Sequence, residues 1–247
     1  MVDRRAAGLP LEHVLGWAEF CGLRIAVDPG VFVPRRRTEL LVSEAAALAR
    51  EAASAGFARP RAVVVDLCCG SGAIGAAITA AVARPAASQH GQVELHAVDI
   101  DPAAVRCARR NVADSGQVYE GDLFTPLPAA LRGRVDVLVA SPPYVPAEEV
   151  RLLPREARMH EPPMALDGGA DGLDIVCRVI AAAPRWLAPG GHLLVELSER
   201  QAPRAAEAAA RSGLIPRVAS SAGLAATVVI GTRPAARLDM SEVPVPG

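Results

Sequence analysis

Apolar positions along the chain fall into two patterns, and their alternation predicts the architecture. Ala62 to Leu67 is an unbroken, Val-rich run, as expected of a strand buried on both faces, and the Ala-rich stretch from Gly72 to about Arg84 reads as the helix after it. Further strands are predicted at Val93 to Val98, Val118 to Glu120, Val135 to Ala140, His192 to Leu197, Ile215 to Ser220 and Ala225 to Ile230. Helices are predicted at Pro102 to Asp114, Gly172 to Leu187 and Arg200 to Ser212. The last two strands lie too close for a crossover helix, so they should pair as an antiparallel hairpin at a sheet edge. The expectation is an α/β, Rossmann-like chain with a seven-stranded, mostly parallel sheet.

Ahead of this alternation, two short β-like runs, Trp17 to Cys21 and Leu23 to Val27, meet at Gly22 and end in the turn signal Asp28-Pro29-Gly30. A hairpin-like entry segment is predicted there. A helix should follow from Thr38 to about Ala55, with Thr38 as its cap and Glu39 in its first turn. The pieces Arg84 to Gln92 and Ala235 to Gly247, rich in Ala, Pro and Ser, read as a loop and a frayed tail. This divides the chain into a hairpin and linker segment (1–34), a catalytic domain (35–234) and a flexible tail (235–247), with no internal repeat.

Composition narrows the chemistry. With 247 residues and 51% of them hydrophobic, the chain can bury a large core without disulfides or a structural metal. All 26 basic residues are Arg, which excludes a Schiff-base lysine, a Walker-type phosphate grip and an ε-amino nucleophile. A formal net charge of −1 argues against stable, sequence-independent nucleic-acid binding. Met1 to Pro10 is charged and lacks an apolar stretch of signal-peptide length, and no apolar run reaches 18 residues, so a cytoplasmic, non-membrane chain is expected. Cys21, Cys68, Cys69, Cys107 and Cys177 form no CxxC pair and read as reduced thiols, with no metal site. Nothing in the pattern sets an oligomeric state.

Candidate chemistry gathers at strand ends. The run from Asp66 through Leu67, Cys68, Cys69, Gly70, Ser71 and Gly72 to Gly75 satisfies GxGxxG between a strand and a helix, where a tight backbone can approach a nucleotide. Asp99 closes the next strand, 24 residues after Gly75, where a carboxylate can accept both hydroxyls of an adenosine ribose. NAD and S-adenosylmethionine both fit at this point. Downstream, Asp122-Leu123 follows the third strand and Ser141-Pro142-Pro143-Tyr144 closes the fourth. Two prolines fix an extended ledge with free carbonyls. A planar amino or amide group on that ledge can donate to Ser141 and a proline carbonyl beneath the Tyr144 ring, which suits methyl transfer to nitrogen.

Four segments together carry a resemblance: Pro10 to Phe20; Val33-Pro34-Arg35-Arg36-Arg37-Thr38-Glu39; the glycine turn with Asp99; and Ser141 to Tyr144 with Glu161-Pro162 to Leu166. Over nearly its whole length the chain resembles the HemK-type N5-glutamine methyltransferases, which use S-adenosylmethionine to modify the Gly-Gly-Gln motif of peptide-chain release factors. The resemblance implies a class I S-adenosylmethionine-dependent methyltransferase fold and a release-factor protein substrate. It implies that residues 68–72 hold the methionine part of the cofactor, that Asp66 and Ser141 also contact the cofactor, and that Asp99 holds the ribose and Asp122 and Leu123 the adenine. Ser141, Pro142, Pro143 and Tyr144, with Glu161, would hold the acceptor, and Arg35 and Thr38 would lie over the cofactor pocket.

Three departures mark this chain. Ser141 stands where the family has Asn, whose side-chain oxygen receives an amide hydrogen of the substrate glutamine. Cys68-Cys69-Gly70 stands where the family usually has Gly-Thr-Gly. Only about ten residues precede the hairpin, where the family has a helical N-terminal domain, so a paralogue or an N-terminally shortened member is expected. The expected reaction is an in-line attack of an amide nitrogen on a sulfonium methyl, with catalysis by positioning and desolvation and Ser141, Pro142 and Tyr144 as the residues that present the nitrogen. Competing readings are methylation of a small-molecule or nucleobase amine, a non-catalytic cofactor-binding module and, more remotely, a dehydrogenase. Arg35-Arg36-Arg37 reads equally as a solvated cluster or as a contact for a partner or the cofactor.

Overall fold

The computed structural model describes residues 1–55, 61–83 and 92–235. The expected loop and tail lie outside these, apart from Gln92 and Ala235. In chain order the elements are α1 (Val2–Ala6), α2 (Leu11–Leu15), β1 (Trp17–Phe20), β2 (Leu23–Ala26), α3 (Glu39–Ala55), β3 (Arg61–Leu67), α4 (Ala73–Val82), β4 (Gln92–Asp99), α5 (Pro102–Val112) and β5 (Gly116–Glu120). There follow β6 (Val135–Ala140), α6 (Arg155–His160), α7 (Asp174–Ala182), β7 (Leu187–Leu197), α8 (Ala202–Arg211), β8 (Ile215–Ser221) and β9 (Ala226–Thr232).

The seven strands β3 to β9 form one sheet in the order β5-β4-β3-β6-β7-β9-β8. The first five pair in parallel, whereas β9 runs antiparallel to both β7 and β8. The sheet and its terminal hairpin are those the hydrophobic pattern predicts. In β3, Val64 packs into a cluster with α3 and α4, while Val63 and Val65 face a second cluster with α7 and α8. That two-sided burial is why its sequence is continuous rather than alternating.

β1 and β2 pair as a separate antiparallel hairpin. Phe20 and Ile25 join the α3 and α4 cluster, so the hairpin shares the core of the sheet. Its outer end is fixed to α5 by Asn111, which accepts from the Ala26 N–H and donates to the Ala26 carbonyl, both at 2.8 Å.

Local chemistry departs from the sequence reading at Thr38 and adds two features that reading does not contain. Thr38 ends a 3-10 turn (Arg36–Thr38) that feeds α3 through its backbone, and its buried side chain turns to the cavity described below rather than serving as a cap. Asp101 caps α5, accepting from the Ala103 N–H at 2.8 Å with Pro102 in the first turn, which leaves Asp99 to the cavity. Short helices α1, α2 and α6 and 3-10 turns at Ala147–Leu152 and Pro163–Ala165 have too few residues to show a period in the sequence.

Candidate active site

Register decides which strand-end residues meet. Leu67 pairs with Val98 on one side and with Ala140 on the other, and Ala140 pairs with Val195. The next residue of each strand therefore lies in one row at the carboxyl edge of the sheet: Asp99, Cys68, Ser141 and Glu196. Parallel sheets place ligands at that edge. All four line a cavity of about 570 Å³, a size that suits a nucleotide-like ligand.

The glycine turn forms one wall. Gly70 has φ +55 and a Cβ there would meet nothing within 4 Å, so its backbone stands open to the cavity. At Gly72 and Gly75 a Cβ would press on Val112 and Ala108 of α5 and on Leu95 of β4, so these glycines serve close packing. The carboxylate of Asp99 accepts from the Gly70 N–H at 2.8 Å and from the Asp101 N–H at 2.9 Å, which holds it rigid while leaving lone pairs for a ligand. Burial raises its pKa, and those two N–H groups oppose the rise.

Behind the turn, Asp66 is buried; its Oδ2 accepts from the Gly75 N–H at 3.0 Å and its Oδ1 has no partner. Burial, with Asp99 nearby, pushes its pKa to about 7 against the pull of the Gly75 bond. Burial and the surrounding aspartates also push up the thiols of Cys68 and Cys69, which therefore present small neutral walls.

The opposite wall is made by Ser141 to Tyr144 and by arginines reaching over from the entry segment. Arg35 pairs with buried Glu161, whose second oxygen has no partner. Arg37 approaches Glu196 at 3.4 Å and lies over the Tyr144 ring, 5.6 Å from its centroid. Tyr144 donates to Glu196 at 3.2 Å; burial first, then Glu196, raises its pKa. Arg5 pairs with Glu156, and Pro10 and Glu12 line the mouth.

Of the residues singled out from sequence, the structure brings Arg35, Thr38, Cys68, Cys69, Gly70, Ser71, Asp99, Ser141, Pro142, Pro143, Tyr144 and Glu161 into this one cavity. Asp66 and Gly72 stand behind its wall. Asp122 and Leu123 do not line it: the Asp122 carboxylate pairs with Arg178 at 2.5 Å, and Leu123 packs toward the α7 and α8 core. One face of the Tyr144 ring, expected to cover the acceptor, is occupied by Arg37. Sequence reasoning missed Glu196, and it left the Arg35-Arg36-Arg37 run undecided, of which Arg37 lines the cavity. A carboxylate inside the otherwise apolar run Leu193 to Leu197 is the signal that marks Glu196.

The open backbone at Gly70 and the fixed carboxylate of Asp99, both on the cavity, fit a compact ligand that carries hydroxyl groups. Among the described residues, no group of three His, Cys, Asp or Glu side chains could hold a metal ion, and no helix is long and apolar enough to cross a membrane.

Comparison with known proteins agrees with this geometry. Residues 23–155 match the family described as Methyltransferase small domain. The chain is 40% identical over 205 residues to a release factor glutamine methyltransferase of Geobacter sulfurreducens, covering 82% of this chain and 65% of that protein, so it spans slightly less than two thirds of that relative. It is 39% identical to the protein of that name from Gloeobacter violaceus, covering 90% of this chain and 74% of the relative. It is also 39% identical over 196 residues to the 4-amino-L-phenylalanine/4-methylamino-L-phenylalanine methyltransferase of Streptomyces pristinaespiralis, covering 79% of this chain and 63% of that protein. A methyltransferase from Pyrococcus furiosus shares the fold, with a TM-score of 0.59 and 18% identity over 94% of this chain and 99% of that one. The chain belongs to the release factor glutamine methyltransferase family, which has the class I fold and takes S-adenosylmethionine as its cofactor.

Proposed function

We propose that this protein transfers a methyl group from S-adenosylmethionine to the side-chain amide nitrogen of a glutamine in a protein, the Gly-Gly-Gln motif of a peptide-chain release factor. The observation that carries the reading is the single cavity that joins Asp99 and the Gly70 turn to the Ser141-Pro142-Pro143-Tyr144 ledge. Release factor methyltransferases that match most of this chain support the acceptor. Such an acceptor places the reaction in the cytoplasm. In this reading residues 35–234 carry the chemistry and 1–34 form its cover.

When bound, S-adenosylmethionine supplies an electrophilic sulfonium methyl that a nitrogen lone pair can take up in line. The chain's residues divide the remaining work. Asp99 receives the ribose hydroxyls, and the backbone at Cys68 to Gly72 holds the amino acid end, with Asp66 supporting the turn. Asp122 and Leu123 remain the adenine-side candidates only if the Asp122 pair with Arg178, whose side chains are 42% and 51% exposed, opens to admit the ring. Ser141 and the Pro142 carbonyl accept the amide N–H groups, turning the lone pair toward the methyl, and Pro143 keeps the ledge rigid. Arg35 and Thr38 cover the pocket. Exclusion of water beneath that cover strengthens each of these contacts.

One relative points to a second acceptor to be tested, an aromatic amine: the Streptomyces pristinaespiralis protein is 39% identical to this chain over 196 residues, a shorter match than those to the release factor enzymes of Geobacter sulfurreducens and Gloeobacter violaceus. The test is calorimetry with S-adenosylhomocysteine on the wild type and Asp99→Ala, with an NAD control, followed by labelled methyl transfer to a release factor and to 4-amino-L-phenylalanine. Micromolar binding, weakened about 100-fold or about 2.7 kcal/mol in Asp99→Ala, and labelling of the Gly-Gly-Gln protein are expected. Binding of NAD instead, or labelling of the amino acid alone, overturns the reading.

A further inference from the structure

Glu196 is the one carboxylate in the row of strand-end residues that the roles above leave unused. It follows Val195, whose partner is Ala140, so it stands beside Ser141 on the neighbouring strand. It lines the cavity, yet the residue is only 2% exposed. A buried carboxylate is costly unless close donors satisfy it, and charge-assisted donors usually approach to about 2.5–2.9 Å. Those around Glu196 do not come so close. Tyr144 stands at 3.2 Å, Arg37 Nε at 3.4 Å and the Ser141 hydroxyl at 3.5 Å. Three loose donors orient the carboxylate without saturating its lone pairs.

We propose that Glu196 binds the methyl acceptor: the N–H of the nitrogen to be methylated that points to Ser141 is shared with the Glu196 carboxylate, while the other N–H stays with the Pro142 carbonyl. This rests on the proposed N-methyl transfer and names the residue that selects the acceptor. Ser141 is too short to present an oxygen far from its strand; the longer side chain of Glu196 supplies one from the next strand. A carboxylate accepts hydrogen bonds only, so the site requires a nitrogen that carries hydrogens, as a primary amide or amine does, and rejects fully substituted nitrogens. The charge also acts on reactivity. An amide nitrogen whose hydrogens are bonded to a carboxylate carries more electron density than one bonded to a neutral oxygen. Arg37 and Tyr144 are then positioning groups that keep Glu196 turned to the ledge.

The experiment compares wild type, Glu196→Gln, Glu196→Ala, Ser141→Asn and the Glu196→Gln/Ser141→Asn double variant. Each is measured for S-adenosylhomocysteine affinity, thermal midpoint, and kcat and KM with a Gly-Gly-Gln release factor and with 4-amino-L-phenylalanine. Expected are cofactor-product affinity within twofold of wild type throughout, kcat/KM for the acceptor lowered about 100-fold in Glu196→Ala and about 10-fold in Glu196→Gln, and partial recovery in the double variant, where Asn extends an oxygen from position 141. Acceptor kcat/KM within threefold of wild type in Glu196→Ala overturns the inference and leaves the proposed function standing. A loss of S-adenosylhomocysteine affinity parallel to the loss of rate also overturns it, since Glu196 would then merely brace the wall. If only 4-amino-L-phenylalanine is methylated, the proposed acceptor fails while the Glu196 losses on that amine still support the inference. Labelling of neither acceptor by wild type overturns both.

Discussion

Arg35 and Glu161 pair across the mouth of the cavity although 126 residues separate them in the chain. The Glu161 side chain is 1% exposed and its second oxygen has no partner, so Arg35 alone compensates the buried charge. Arg5 with Glu156 and Arg37 with Glu196 repeat the arrangement, each tying the entry segment to a loop or strand end of the sheet. An exposed pair contributes little, whereas stranding a buried charge costs about 3–5 kcal/mol.

Arg35→Ala should therefore destabilise the protein more than Arg5→Ala does. Arg35 is itself a third exposed, so water offsets part of the penalty, and a loss of about 1–3 kcal/mol is expected. Arg5 and Glu156 are exposed, and their separation should cost less than about 1 kcal/mol. Urea unfolding of both variants checks the contrast. Adding Glu161→Gln to Arg35→Ala should restore most of the stability, because the stranded charge is gone; equal losses for the two arginines would contradict the account.

The glycines of the turn should separate by what they do. Gly75→Ala drives a Cβ to 2.9 Å from Leu95, and overpacking of this kind costs about 1–3 kcal/mol. Gly70→Ala meets no atom within 4 Å, so only its left-handed backbone is penalised, by about 1–2 kcal/mol. The added methyl of Gly70→Ala enters the cavity and should weaken S-adenosylhomocysteine binding by tenfold or more. Gly75→Ala should lower the thermal midpoint and leave affinity nearly intact. Calorimetry and thermal unfolding on the two variants read both effects.

Much of this site was legible because its residues close strands, and strands buried on both faces announce themselves as apolar runs. The register that aligns Asp99, Cys68, Ser141 and Glu196 was not legible, since it depends on which strands become neighbours. Glu196 was absorbed into its strand for that reason. Thr38 shows a second limit: it reads as a helix cap, but the chain enters α3 through a 3-10 turn and the Thr38 side chain lines the cavity, an outcome that tertiary packing decides. The contact of α1 with α6 and that of Arg35 with Glu161 rest on long-range Arg–Glu pairs, which no local period encodes.

Stability should depend on pH through Asp66. Its pKa rises from 3.8 to about 7 on folding, chiefly by burial, so between those values the folded state binds more protons than the unfolded chain. A group raised in this way favours folding most below pH 3.8 and loses that contribution as pH rises through about 7. At 1.36 kcal/mol per pKa unit the change is of order 4 kcal/mol at most. The ligand-free protein should have a higher thermal midpoint at pH 5 than at pH 8 from this group, and Asp66→Asn should remove that slope. A slope unchanged in Asp66→Asn would assign it to other carboxylates.

Thiol reactivity offers a last check on the character of the cavity wall. The thiolate is the reactive form, and burial with nearby aspartates holds Cys68 and Cys69 protonated at neutral pH. Cys21 is pushed up to about 11, Cys107 is buried, and Cys177 is exposed on α7. Iodoacetamide at pH 7.5 should modify Cys177 first, and Cys177→Ser should abolish the fast phase without loss of S-adenosylhomocysteine binding. Mass spectrometry of the modified peptides identifies the site. Rapid labelling of Cys68 or Cys69 would mean that the wall next to the glycine turn carries a thiolate, contrary to the effect of burial and the nearby aspartates.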